Sequence, residues 1–94
     1  MDLLLGDVHS LKEKRGILRP IVAEVRRRFD VAVAETQYQD LHRRAVIAVA
    51  AVAGDAGHAR GVVDACEEWV SGRPEIMLVG ARRRMFGGDD EGMR

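Results

Sequence analysis

An α+β fold is what this sequence predicts, and three observations carry the prediction. The first is Ser10-Leu11-Lys12-Glu13. Ser-x-x-Glu is the spacing of a capping box, in which two side chains satisfy backbone N–H groups that a first helical turn leaves unpaired. The second is a pair of segments, one from Leu11 to about Phe29 and one between Asp55 and Ser71, whose apolar residues recur at the 3.6-residue period of an amphipathic helix. The third is a set of short apolar runs bounded by turn residues, which read as strands. The resulting order is strand, helix, strand, strand, helix, strand. Two helices on one face of a four-stranded antiparallel sheet is the ferredoxin-like βαββαβ arrangement. Right-handed crossovers place the first and third strands at its centre.

Met1–Leu5 is the end of a strand, closed by Gly6 and Asp7. The first helix runs from Leu11 to Phe29, with Leu11, Leu18, Val22, Val25 and Phe29 on one face and Ile21 widening it. Arg15 falls in the gap between Leu11 and Leu18 and is assigned to the apolar side. Pro20 removes a backbone donor inside the helix, which predicts a kink. Arg26, Arg27 and Arg28 suit the negative end of the helix dipole, whereas Lys12, Lys14 and Arg15 sit against its positive end. That local conflict marks the start of the helix as a place to look for function.

Val31–Glu35 forms the second strand, and Thr36–His42 is a polar connector. In Arg44–Ala53 alanine favours helix and Val46, Ile47, Val49 and Val52 favour strand, so periodicity does not decide; the run is read as the third strand because Gly54 stops it and its ten residues suit pairing with 31–35. Its nine apolar residues leave both faces apolar, which points to an outer sheet face covered by a second subunit or to exposed alanines of little area. Asp55 caps the second helix, whose inner face carries Ala59, Val62, Val63, Cys66, Trp69 and Val70. Ser71-Gly72 and then Pro74 stop it. Glu75–Ala81, continuing toward Arg84, is the last strand. The domain spans 1–86, and 87–94 is read as a disordered, acidic, Gly-rich tail.

Ninety-four residues suffice for one modest core. Fifteen basic residues balance fifteen acidic ones, so overall charge alone does not announce a nucleic-acid binder. A single cysteine excludes an internal disulfide. No leader-like or membrane-spanning run is present, so a cytoplasmic location without membrane association is expected.

The runs Val8-His9-Ser10-Leu11-Lys12-Glu13-Lys14-Arg15, Arg27-Arg28-Phe29, Val33-Ala34-Glu35 and Gln39-Asp40-Leu41-His42-Arg43-Arg44 together resemble the YlxP-like family. Its members are small bacterial proteins classed as a domain of unknown function. The resemblance extends from Asp2 to about Phe86. It implies the ferredoxin-like fold. Because genes of the family often lie beside those for translation initiation and ribosome-maturation factors, it also implies ribosome-associated work. It carries over no catalytic residue and no cofactor. Family members usually begin several residues upstream within the first strand. That strand should therefore be truncated here, shorter than the third, and part of the third should lack a ladder partner.

The topology brings the start of the first helix to the same end as the connector between the second and third strands. Asp7, His9, Lys12, Lys14 and Arg15 then gather with Gln39, Asp40, His42 and Arg43. Two readings follow. Lys12, Lys14, Arg15 and Arg43 can form an anion or RNA-phosphate site beside the backbone N–H groups of the helix start. Alternatively Arg15 pairs with Asp40 or Glu35 and pins the connector, with Gln39, Asp40 and His42 serving structure or a partner. His9, His42, Asp7 and Asp40 match no metal-ligand spacing, and no metal is assigned. Cys66 on a helix stripe reads as an inert core thiol. No nucleophilic or paired-carboxylate constellation is evident, so catalysis is not expected. Strands 1 and 3 carry no aromatic residue, which disfavours base stacking on the sheet. The sequence thus points to an RNA- or ribosome-associated factor, with homodimerisation through the outer sheet face and an unrecognised small-molecule enzyme as the alternatives.

Overall fold

The computed structural model describes residues 1–87. Its elements are β1 (Asp2–Leu5), α1 (Leu11–Phe29), β2 (Ala32–Gln37), β3 (Arg44–Ala50), α2 (Ala56–Ser71) and β4 (Ile76–Gly80). The four strands form one antiparallel sheet in the order β2-β3-β1-β4, so β1 and β3 are central as the crossover rule requires. The expected tail at 87–94 lies, from residue 88 onward, outside the described residues.

Local chemistry explains the boundaries. Ser10 accepts the Glu13 N–H at 3.1 Å, and Glu13 reaches back toward the His9 N–H at a longer 3.4 Å. α1 therefore starts on the capping signal. It ends at Asp30, whose left-handed conformation (φ 53°) lets its N–H return to the Arg26 carbonyl at 3.1 Å. Asp55 caps α2 through the His58 N–H at 2.8 Å. Gly72 closes α2 at φ −85°, a conformation open to any residue.

Three strand limits differ from the sequence reading. β2 continues through Thr36 and Gln37, because a register shift after Glu35 lets Gln37 sit opposite Val46. β3 stops at Ala50, opposite Ala32 where β2 begins. Ala51–Ala53 are apolar but pair with no strand among the described residues. β4 ends at Gly80, opposite Asp2. β1 has four residues and β3 seven, so the central strand is short and β3 outruns it.

The core lies between the sheet and the two helices. Leu3 and Leu5 of β1, Val33 of β2, Ala45 and Ile47 of β3 and Ile76 of β4 meet Leu18, Ile21 and Val25 of α1 and Cys66 and Val70 of α2. Alternation along the strands sends Leu4, Met77, Val79 and the alanines at 32, 34, 48 and 50 to the opposite, open face. Arg44 and Asp2 pair at 3.2 Å on that face, with the Arg44 guanidinium over the Tyr38 ring.

Candidate functional site

The end of the molecule where α1 begins is assembled as the topology predicts. The Leu5 N–H donates to the Arg43 carbonyl at 2.8 Å, tying the end of β1 to the connector before β3. From α1, the Lys14 ammonium donates to the Tyr38 carbonyl at 2.6 Å and lies 2.9 Å from Glu35 Oε2. The second contact is ionic and poorly aligned as a hydrogen bond, so the better-directed bond is the one to Tyr38. Tyr38 presents that carbonyl from a left-handed turn (φ 60°).

The ion pair that pins the connector therefore belongs to Lys14, which corrects the assignment of Arg15 to the apolar side. Steps of three and four from Leu11 pass through Lys14, Leu18, Ile21 and Val25, and these last four are buried. Arg15 lies one position off that stripe and is exposed. A lysine can occupy the stripe because its methylene stem packs as an apolar chain while its head reaches a carboxylate at the rim. The Lys14 side chain is 2 % exposed and that of Glu35 27 %.

The other predicted site residues sit as follows. Lys12 and Arg15 are exposed on α1 and, with Gly16, Arg19 and Pro20, line one shallow groove on its outer side. Arg19 belongs to this group although its sequence position did not suggest it. The signal was present: 12, 15 and 19 are spaced three and four apart, so they share one helix face. Arg43 is exposed and makes a long 3.4 Å contact to the Leu5 carbonyl. Gln39 donates to the Glu35 carbonyl at 3.0 Å, and Asp40 and His42 are exposed beside it. His9 pairs with Asp7 at 2.9 Å on the surface. Among the described residues no three His, Cys, Asp or Glu side chains converge.

Several charges elsewhere are met within the chain. Arg27 and Arg28 both hold Glu24, and the hydrogen bond from Arg27 is the main reason its carboxyl lies below the usual range. Arg26 donates to the Val33 carbonyl at 2.8 Å. Arg83 bridges Asp64 at 2.5 Å and Glu67 at 2.6 Å. Arg28 and Arg73 flank the Trp69 ring. By contrast, among the described residues no carboxylate lies within ion-pair distance of Lys12, Arg15 or Arg19. Cys66 is fully buried, and desolvation raises its thiol pKa above the ordinary 9.0. It is protonated at neutral pH and unsuited to nucleophilic work.

These features define a small ferredoxin-like domain with an exposed basic face on α1. The chain belongs to the family described as "Protein of unknown function (DUF503)", whose sequence profile matches residues 1–83. It is 29% identical over 85 residues to the "Uncharacterized protein YlxP" of Bacillus subtilis (strain 168), covering 90% of this chain and 92% of that one. No solved structure matches the chain.

Proposed function

We propose that the protein is a non-enzymatic accessory factor of the cytoplasm that associates with RNA or a ribosomal subunit through phosphate contacts from α1. The observation that carries this reading is the exposed cationic face formed by Lys12, Arg15 and Arg19, none of which has a carboxylate within ion-pair distance among the described residues. Arg43, held to the Leu5 carbonyl at the same end of the domain, is a further exposed cation. Guanidinium groups donate two parallel hydrogen bonds to phosphate oxygens, and exposed cations release condensed counterions on contact. The long side chains keep this face wet, so it suits a backbone rather than an apolar partner. Lys14 acts indirectly by fixing the connector that carries Gln39, Asp40, His42 and Arg43.

Co-sedimentation with purified ribosomal subunits at low and high salt tests the proposal. Salt-sensitive pelleting, weakened severalfold by Arg15→Ala with an unchanged melting temperature, is the expected result. Pelleting that ignores both salt and Arg15→Ala would remove the phosphate contact from consideration.

A second reading rests on the outer sheet face. Leu4 is 39%, Val79 48% and Met77 63% exposed, and the only salt bridge there among the described residues, Asp2–Arg44, is internal. A neutral apolar sheet face of this kind suits a two-fold contact with a second copy. Among the described residues no helix is long and apolar enough to cross a membrane, so a membrane is not invoked to cover it. A sedimentation coefficient that rises with concentration in the micromolar range would favour this reading.

A further inference from the structure

The shallow groove on α1 has a floor of bare helix backbone. Its lining is Lys12, Arg15, Gly16, Arg19 and Pro20. Gly16 and Pro20 are four residues apart and both are exposed, so they share one helix face. Pro20 stands inside the helix and has no N–H. The Gly16 carbonyl, which would accept from position 20, therefore lacks its α-helical donor, and the proline ring crowds it. Gly16 adds a second irregularity. Glycine in a helix interior is destabilising relative to alanine, yet an alanine methyl at this position would meet nothing within 4 Å. Packing within the domain does not call for the glycine. Its effect is to open the backbone to close approach from outside. Lys12 lies one turn before Gly16, and Arg15 and Arg19 lie alongside. The groove thus sets one uncommitted acceptor among three cationic donors.

From this combination we infer, resting on the phosphate contacts proposed for α1, that the groove reads the backbone of double-helical RNA, with the Gly16 carbonyl accepting a ribose 2′-hydroxyl. Ionised phosphates only accept hydrogen bonds and cannot use the carbonyl. The 2′-hydroxyl can donate to it, and it is the group that tells RNA from DNA. Each ribose is flanked by phosphates, which matches a carbonyl with cations around it. In an A-form helix the wide, shallow minor groove displays the 2′-hydroxyls, where an exposed protein helix can reach both them and the phosphates. The aromatic residues argue against a single strand, whose bases use rings to stack on. None lines the groove. Phe29 packs against the core, Tyr38 lies under Arg44, and Trp69 is flanked by Arg28 and Arg73. Phe86 follows β4, which ends opposite Asp2, at the other end of the sheet from the start of α1.

The test uses the full chain and a labelled RNA duplex of about 16 base pairs, alongside the same duplex with 2′-fluoro sugars. Fluorine keeps the A-form helix and every phosphate but cannot donate. Fluorescence anisotropy should show salt-sensitive binding of the RNA duplex, with the fluoro duplex bound about fivefold more weakly, the worth of one hydrogen bond. Pro20→Ala restores an N–H for the Gly16 carbonyl, and this variant should bind the two duplexes alike. Gly16→Ala sets a methyl where the ribose approaches, so it should lose affinity for RNA by a similar factor. Alanine suits a helix better than either residue it replaces, so neither change should lower the melting temperature. Salt-sensitive binding that is equal for the two duplexes would overturn the inference and leave the phosphate contacts standing. Discrimination that survives Pro20→Ala would overturn it too, as would a single strand that binds tighter than the duplex. Binding of neither duplex would also overturn it, whereas the phosphate contacts stand or fall by the co-sedimentation with ribosomal subunits.

Discussion

Glu35→Ala is expected to destabilise the domain by about 3 kcal/mol, the scale of breaking a buried ion pair from one side. The Lys14 ammonium would remain buried with only the Tyr38 carbonyl to receive it. A domain of this size has roughly 5–15 kcal/mol in total, so the urea midpoint should fall by a large fraction of its value. Removing the other partner is milder. Lys14→Met fills the same slot with an unbranched apolar chain, and Glu35, already 27 % exposed, can take up water. Its expected cost is below about 1 kcal/mol, in keeping with apolar replacements of buried ion pairs. The double variant Lys14→Met/Glu35→Ala should then recover most of what Glu35→Ala loses. Equal losses in both single variants would show that the pair is no more than a surface contact. The consequence extends to function, because this pair sets where the connector, and hence Arg43, rests.

Much of this architecture was legible because local signals and tertiary demands agree. The capping box at Ser10, the helix stripes and the turn residues each placed an element where packing also wanted it. Strand ends were less legible because they depend on partners. Ala51–Ala53 are as apolar as β3, yet no described residue pairs with them, and Thr36–Gln37 look like a loop but find Val46 through a register shift. The site was half legible. The topology rule brought α1 and the connector together, while the gap between Leu11 and Leu18 was filled with Arg15 rather than Lys14. Both residues are strongly polar and both lie three or four residues from Leu11 and Leu18, so neither hydropathy nor that gap chooses between them. The spacing of four, seven and eleven residues to Leu18, Ile21 and Val25 is what puts Lys14 inside. Moving Arg15 off the stripe is also what makes its alignment with Lys12 and Arg19 visible.

That alignment gives the second large effect. Reversing all three charges, Lys12→Glu with Arg15→Glu and Arg19→Glu, is expected to abolish RNA or subunit association at physiological salt while the fold survives. Survival follows from position, since all three side chains are exposed on the outer side of α1. Acidic residues near the helix start also suit its dipole better than the cations they replace. Loss of binding follows from counterion arithmetic. Three phosphate contacts contribute roughly 2–3 to the slope of log affinity against log salt. Between 50 and 200 mM salt that slope is worth about 20–40-fold, so the unaltered protein should weaken by at least this much over the same range. Neutral substitutions should remove the slope in steps of just under one per residue, with no change in melting temperature. Binding that keeps its salt slope after all three reversals would mean that the phosphate-facing surface lies elsewhere on the domain. Arg60, exposed on α2, would then be the next residue to reverse.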